Sequence, residues 1–178
     1  MRDLLAIEKA AAARSLPFLV AGGHAVIAHG HPRMTFDLDL IIRQRDKAEW
    51  FSLVSGLGYT LASDMPTFLQ FSESPTAIFP LDLMMVGDDT FQKLRDASGP
   101  LRLPGGEVRM VSLLHLIALK CHAIKHGRDE RKIKDTDDLI ELIKNNRLNL
   151  QATELRATIL KHGDEELYGK LQRACRPD

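Results

Sequence analysis

Cysteine is scarce in this chain. Cys121 and Cys175 are the two present among 178 residues, far apart and with no CxxC spacing. That excludes a disulfide framework and a cysteine-based zinc site, and it predicts reduced thiols. Charge of one sign is not in excess either, since Lys+Arg and Asp+Glu both number 24 and the formal net charge is zero. The balance gives no global electrostatic case for binding nucleic acid or a membrane surface, and leaves open a local basic patch. Long apolar runs are missing, with none approaching the ~18 uncharged residues that span a bilayer. The opening MRDLLAIEKA carries Asp3 and Glu8 where a signal peptide would have its apolar region. The expectation is a soluble cytoplasmic protein with no membrane partner.

What is present is ordinary for a globular domain: 44% hydrophobic and 27% charged residues, with no internal repeat or low-complexity segment. Asp3–Ser15 reads as a helix stopped by Pro17, and Phe18–Ala21 as a short buried strand ending at Gly22-Gly23. His24–His29 suits a short helix, broken by Gly30, His31 and Pro32, before a strand over Thr35–Ile42. Helical spacing of Trp50, Leu53, Val54 and Leu57 marks a helix over Asp46–Leu57, with Gly58 as its stop. Phe68–Phe71 and Ala77–Val86 read as strands, and Phe91–Ala97 as a weak helix. Leu101–Leu103 and Val108–Met110 flank Pro104-Gly105-Gly106 as a hairpin. Ser112 can cap a strong helix reaching His126. A charged connection, GRDERKIKD, then leads to helices over Thr136–Asn145, Gln151–His162 and Asp164–Ala174. The fold class is α+β, with a mixed α/β core over 1–111 and a helical region over 112–178 packed on it as one unit.

The chemistry concentrates in the second strand. Side chains at i and i+2 of a strand share a face, so Asp37 and Asp39 project together while Leu38, Leu40 and Ile42 project to the other side. Two carboxylates this close on a half-buried strand repel each other and resist desolvation. A divalent cation resolves the conflict, and Mg²⁺ in particular binds through a few carboxylates and fills its shell with water and phosphate oxygens. The plainer alternative is a strand edge facing solvent. Gly22-Gly23, between a strand and a helix, would let backbone N–H groups approach an anion such as a triphosphate, or be an ordinary tight turn. Asp82, inside the apolar run IFPLDLMMV, would join the same cation cluster, or face water on an edge strand introduced by Pro80. Arg33 and Thr35, just upstream of Asp37, could contact phosphate, orient the carboxylates or belong to a solvated loop.

Lys120 lies mid-helix among Leu116, Ile117, Leu119 and Ile124, so its stem is expected to pack and its ammonium to meet something specific or to reach solvent. Asp135 and Asp138 stand at i and i+3 of an expected helix start, where the macrodipole favours acids. His24, His29 and His31 cluster in sequence without the spacing of a zinc site. No Ser-His-Asp or Cys-His arrangement emerges.

A Gly-Gly turn, thirteen spacer residues, Asp-Leu-Asp-Leu and a later strand Asp together resemble the signature of the polymerase-β-type nucleotidyltransferase superfamily. The texture GGHAVIAHG…RMTFDLDL is similar to the AbiEii/AbiGii toxin group of minimal nucleotidyltransferases. So is the run from Leu113 to Leu142, with Lys120, the basic pair Arg131 and Lys132, and the acids Asp135 and Asp138. The resemblance covers Phe18 to Leu142. It implies transfer of a nucleoside monophosphate from an NTP to an acceptor hydroxyl, with Asp37, Asp39 and Asp82 as catalytic residues and metal ligands. It implies two Mg²⁺ ions with NTP bound, replaceable by Mn²⁺. Gly22, Gly23, Arg33, Thr35, Lys120, Arg131, Lys132, Asp135 and Asp138 would form the nucleotide side, with Lys120 either near the nucleotide phosphates or in an ion pair with Asp135 or Asp138. The acceptor stays open among tRNA, protein and small molecules. A cognate antitoxin is a further partner the resemblance implies, and a catalytically silent NTP-binding or partner-binding module is the alternative.

Overall fold

The computed structural model describes residues 2–72, 79–127 and 129–176. The chain divides into two compact units, one of residues 1–25 and 34–112, the other of 26–33 and 113–178.

The first unit is built on a mixed sheet. Its helix α1 (Arg2–Ala13) puts Leu4, Ile7 and Ala11 on one buried stripe. Strand β1 (Leu19–Val20) is followed at once by α2 (Gly22–Ala28), which starts in this unit and ends in the other. Strand β2 (Leu38–Arg43) leads through a 3₁₀ turn to α3 (Lys47–Gly56), then to β3 (Thr60–Met65), β4 (Phe68–Ser72), β5 (Leu81–Val86), α4 (Asp88–Asp96), β6 (Gly99–Leu103) and β7 (Gly106–Met110). The strand order is β3-β4-β5-β2-β1-β7-β6. Strand β2 runs parallel to β5 and β1 parallel to β7, while the other neighbours are antiparallel.

Leu38, Leu40 and Ile42 of β2, Leu69 and Phe71 of β4, and Leu81, Leu83 and Met85 of β5 form one core with α1 and with Trp50, Leu53 and Val54 of α3. Each side chain of that kind contributes about 1.5–3 kcal/mol of burial. The residues between them, Asp39 and Asp82 among them, must point to the opposite face. Gly58, with φ +93°, ends α3 in the left-handed conformation its sequence position suggested. The β6–β7 loop is Pro104-Gly105, with Gly105 at φ +97°, the residue order a type II turn needs.

The second unit is helical: α5 (Leu113–His126), α6 (Asp129–Asn145), α7 (Thr153–His162) and α8 (Glu165–Ala174). Ile117, Cys121, Leu139, Ile143, Leu155, Ile159, Leu167, Tyr168 and Leu171 form its core. The Asp164 side chain accepts the Leu167 N–H at 2.8 Å and caps α8. Residues 29 and 30 are tied into this unit from the end of α6. Asn146 Nδ2 donates to the His29 carbonyl at 2.8 Å, and Asn145 Nδ2 to the Gly30 carbonyl at 2.9 Å.

Four expectations need correction. The charged run after Gly127 is not a connection, because α6 is already helical from Asp129. Asp135 and Asp138 therefore sit inside the helix, beyond its first turn, and the macrodipole explains neither. The strand expected from Thr35 begins at Leu38, so Asp37 precedes it. Strand β3 was not anticipated: nearly all of it is exposed on both faces, so it carries no alternation to read. Of the strand expected over Ala77–Val86, residues 77 and 78 lie outside the described residues.

Candidate metal centre

Parallel pairing of β2 with β5 places Asp39 directly beside Asp82, as partners in the ladder. Partners in register project to the same face, so the two carboxylates meet on the face away from the main core. Asp37, one residue ahead of β2, joins them. One carboxylate oxygen from each of the three lies within 4.8 Å of the other two, and Asp82 is buried. Strand β5 lies between β4 and β2 in the sheet interior, which removes the edge-strand alternative for Asp82. Pro80 stands just outside the strand, where its carbonyl accepts the Leu38 N–H at 2.9 Å.

Each carboxylate has a neutral donor. Thr35 Oγ1 donates to Asp37 Oδ1 at 2.8 Å. The Gly23 N–H donates to Asp39 Oδ2 at 3.4 Å. Gln70 Nε2, on β4, donates to Asp82 Oδ1 at 3.4 Å. The need for glycine at 22 is now visible. Its φ is +53°, and a Cβ there would overlap the Asp39 carboxylate. The turn exists to bring the backbone against the acid.

Three carboxylates so close destabilise one another unless protons or cations intervene. A hard oxygen-only set of this kind suits Mg²⁺ or Mn²⁺ far better than a metal that prefers sulfur or imidazole. The residues present thus fit a divalent cation, with Asp37, Asp39 and Asp82 as its holders.

Four other expected site residues, Arg33, Lys120, Asp135 and Asp138, form a second group within the helical unit. Lys120 Nζ lies 2.5 Å from Asp135 Oδ1 and 2.6 Å from Asp138 Oδ2. Arg33 grips Asp138 with two bonds, Nε to Oδ1 at 2.6 Å and a terminal nitrogen to Oδ2 at 2.9 Å. His31 Nε2 stands 3.8 Å from the same carboxylate. Asp138 is 1% exposed, so its charge is held almost entirely by these partners. Burial pushes its carboxyl up, but hydrogen bonds from Arg33 and Lys120 outweigh this and hold it below the ordinary 3.8. Lys120 thus does not snorkel, because both acids engage it. Lys132 pairs with Asp129 at 2.7 Å, and Arg131 is exposed.

Gln70 was missed from the sequence. Its signal was a lone amide in the apolar strand FLQFS, facing the side that Asp82 faces.

No family model and no curated protein sequence matches the chain. Solved structures do. The antibiotic-resistance factor ANT(2'')-Ia shares 19% identity at a TM-score of 0.66, over 94% of this chain and 91% of its own. The lincosamide antibiotic adenylyltransferase LnuA, solved with lincomycin bound, shares 15% at 0.58, over 80% of this chain and 95% of its own. An antigenic nucleotidyltransferase-like protein from Paracoccidioides brasiliensis shares 17% at 0.56, over 96% and 89%. The fold is that of the nucleotidyltransferases. Among the described residues, no helix is long and apolar enough to cross a membrane.

Proposed function

We propose that the chain is a Mg²⁺-dependent nucleotidyltransferase, moving a nucleoside monophosphate from an NTP to an acceptor hydroxyl and releasing pyrophosphate. The observation that carries the reading is the convergence of Asp37, Asp39 and Asp82 on one face of the sheet. Two divalent cations held there would neutralise charge on the attacking and leaving oxygens of an in-line displacement at the α-phosphate. The protein's own part is positional. Asp37 and Asp39 would hold the cations, Asp82 would complete the set, and Thr35 fixes the Asp37 carboxylate. Gly22 leaves the space of its missing side chain to the Asp39 carboxylate, and the Gly23 N–H donates to that same acid.

Arg33, Lys120, Asp135 and Asp138 we assign to holding the helical unit together, since their charges are satisfied among themselves. Arg131 and Lys132 are not needed by the reading. Proteins of similar length and fold, ANT(2'')-Ia and LnuA, include an antibiotic adenylyltransferase, which supports a small hydroxyl-bearing acceptor over a macromolecule. The narrower placement among AbiEii/AbiGii-like toxins we propose on the sequence pattern alone. Growth arrest on expression, relieved by a neighbouring gene's product, would support it.

The test is incubation with each α-labelled NTP, Mg²⁺ and a panel of polyhydroxylated small molecules beside total RNA and protein. Label transfer that is lost in Asp37→Asn and Asp39→Asn, with folding retained, is expected. Transfer that persists in both variants would overturn the assignment.

A further inference from the structure

The sheet register carries a polar row that the three acids do not exhaust. Ser63 of β3 pairs with Gln70 of β4, Gln70 pairs with Asp82 of β5, and Asp82 pairs with Asp39 of β2. On β4 the neighbours of Gln70, Leu69 and Phe71, turn into the core, so the amide is committed to the face of the acids. Its Nε2 lies 3.4 Å from Asp82 Oδ1. An ionised carboxylate only accepts, so an amide held beside it can attract it only through the NH₂ end.

We propose that Gln70 is a positioning residue for Asp82. Its amide fixes one oxygen of that carboxylate and leaves the other turned toward the cation site. The inference rests on the metal-centre reading. A charged donor in this place would compete with the cation for the acid, whereas a neutral amide orients it without neutralising it. Partners of this kind, one step behind a ligand, typically change metal affinity by 10–100-fold when lost. Sequence position hides the role, because Gln70 and Asp82 stand twelve residues apart on separate strands.

The experiment is a Mn²⁺ titration followed by the electron paramagnetic resonance signal of the free ion, on the wild-type chain, Gln70→Met, Asp82→Asn and the double variant. Gln70→Met keeps length and volume and removes the donor. The expected result is about a tenfold weaker Mn²⁺ affinity in Gln70→Met with its thermal midpoint little changed. In the double variant the affinity should be no weaker than in Asp82→Asn alone, because the amide acts only through that carboxylate. Gln70→Asn, which retains the amide but withdraws it by one methylene, should repeat the loss if Gln70→Met folds poorly. Wild-type affinity in both Gln70 variants, or additive losses in the double variant, would overturn the proposal. Failure of the metal reading looks different: Asp82→Asn would then bind Mn²⁺ as the wild type does, and both inferences would fall.

Discussion

Gly22 and Asp39 exclude each other's side chains: a Cβ on residue 22 would occupy the space of the Asp39 carboxylate. The glycine also sits at φ +53°, where an L side chain is strained by about 1–3 kcal/mol. Gly22→Ala must therefore displace the acid or the turn. The expected outcome is destabilisation by at least that amount in urea titration, together with loss of divalent-cation binding. A change below about 0.5 kcal/mol with cation binding intact would contradict the close approach.

The metal centre is expected to cost stability when empty of cations. Asp39 and Asp82 face one another across the ladder, an arrangement of like charges worth about 0.2–1 kcal/mol of repulsion. Asp82→Asn should accordingly raise the stability of the cation-free protein by about that amount while abolishing transfer. Saturating Mg²⁺ should reverse the order, since a ligand at a hundred times its Kd adds about 2.7 kcal/mol to the wild type. Thermal unfolding with EDTA and with Mg²⁺ reads both arms.

Asp138 sets an acid limit for the helical unit. Its folded carboxyl lies below the ordinary 3.8, so it binds protons more weakly folded than unfolded. The stability it contributes is complete above that ordinary value and is lost as pH falls through the folded one. Asp138→Asn leaves Lys120 and Arg33 facing an uncharged amide and should cost about 3–5 kcal/mol at neutral pH. It should also flatten the dependence of stability on pH below about 4. Urea midpoints from pH 7 to pH 2 check the prediction, and an unaltered acid slope in the variant would refute it.

Cys121 is fully buried in the helical core, and burial above all pushes its thiol up to about 12. At pH 8 its thiolate fraction is then about one in ten thousand. A thiol reagent added to the folded protein should leave Cys121 unmodified over hours and label it at once in denaturant. Mass mapping of the modified peptide distinguishes it from the half-buried Cys175.

Much of the sheet unit was legible because its signals are local. A Gly-Gly turn, an Asp-x-Asp alternation and an acid in an apolar strand each state a conflict that one geometry resolves, and the ladder supplied that geometry. The helical half was legible only where its buried face is apolar. In the first turns of α6 the buried residues are Asp135, Thr136 and Asp138, so hydropathy saw a loop where a helix lies. Their partners, Lys120 and Arg33, come from 15 and 105 residues away, a distance no periodicity spans. Strand β3 escaped for the opposite reason, since an edge strand exposed on both faces carries neither alternation nor a core. Gln70 was overlooked because an amide in a strand has no meaning until its neighbour in the sheet is known.

The most direct measurement is the anomalous scattering of Mn²⁺ in crystals grown with a non-hydrolysable NTP. A manganese peak bounded by Asp37, Asp39 and Asp82 is expected, at the roughly 2.0–2.4 Å usual between such cations and carboxylate oxygens. Crystals that hold the nucleotide with no manganese at those three side chains would contradict it.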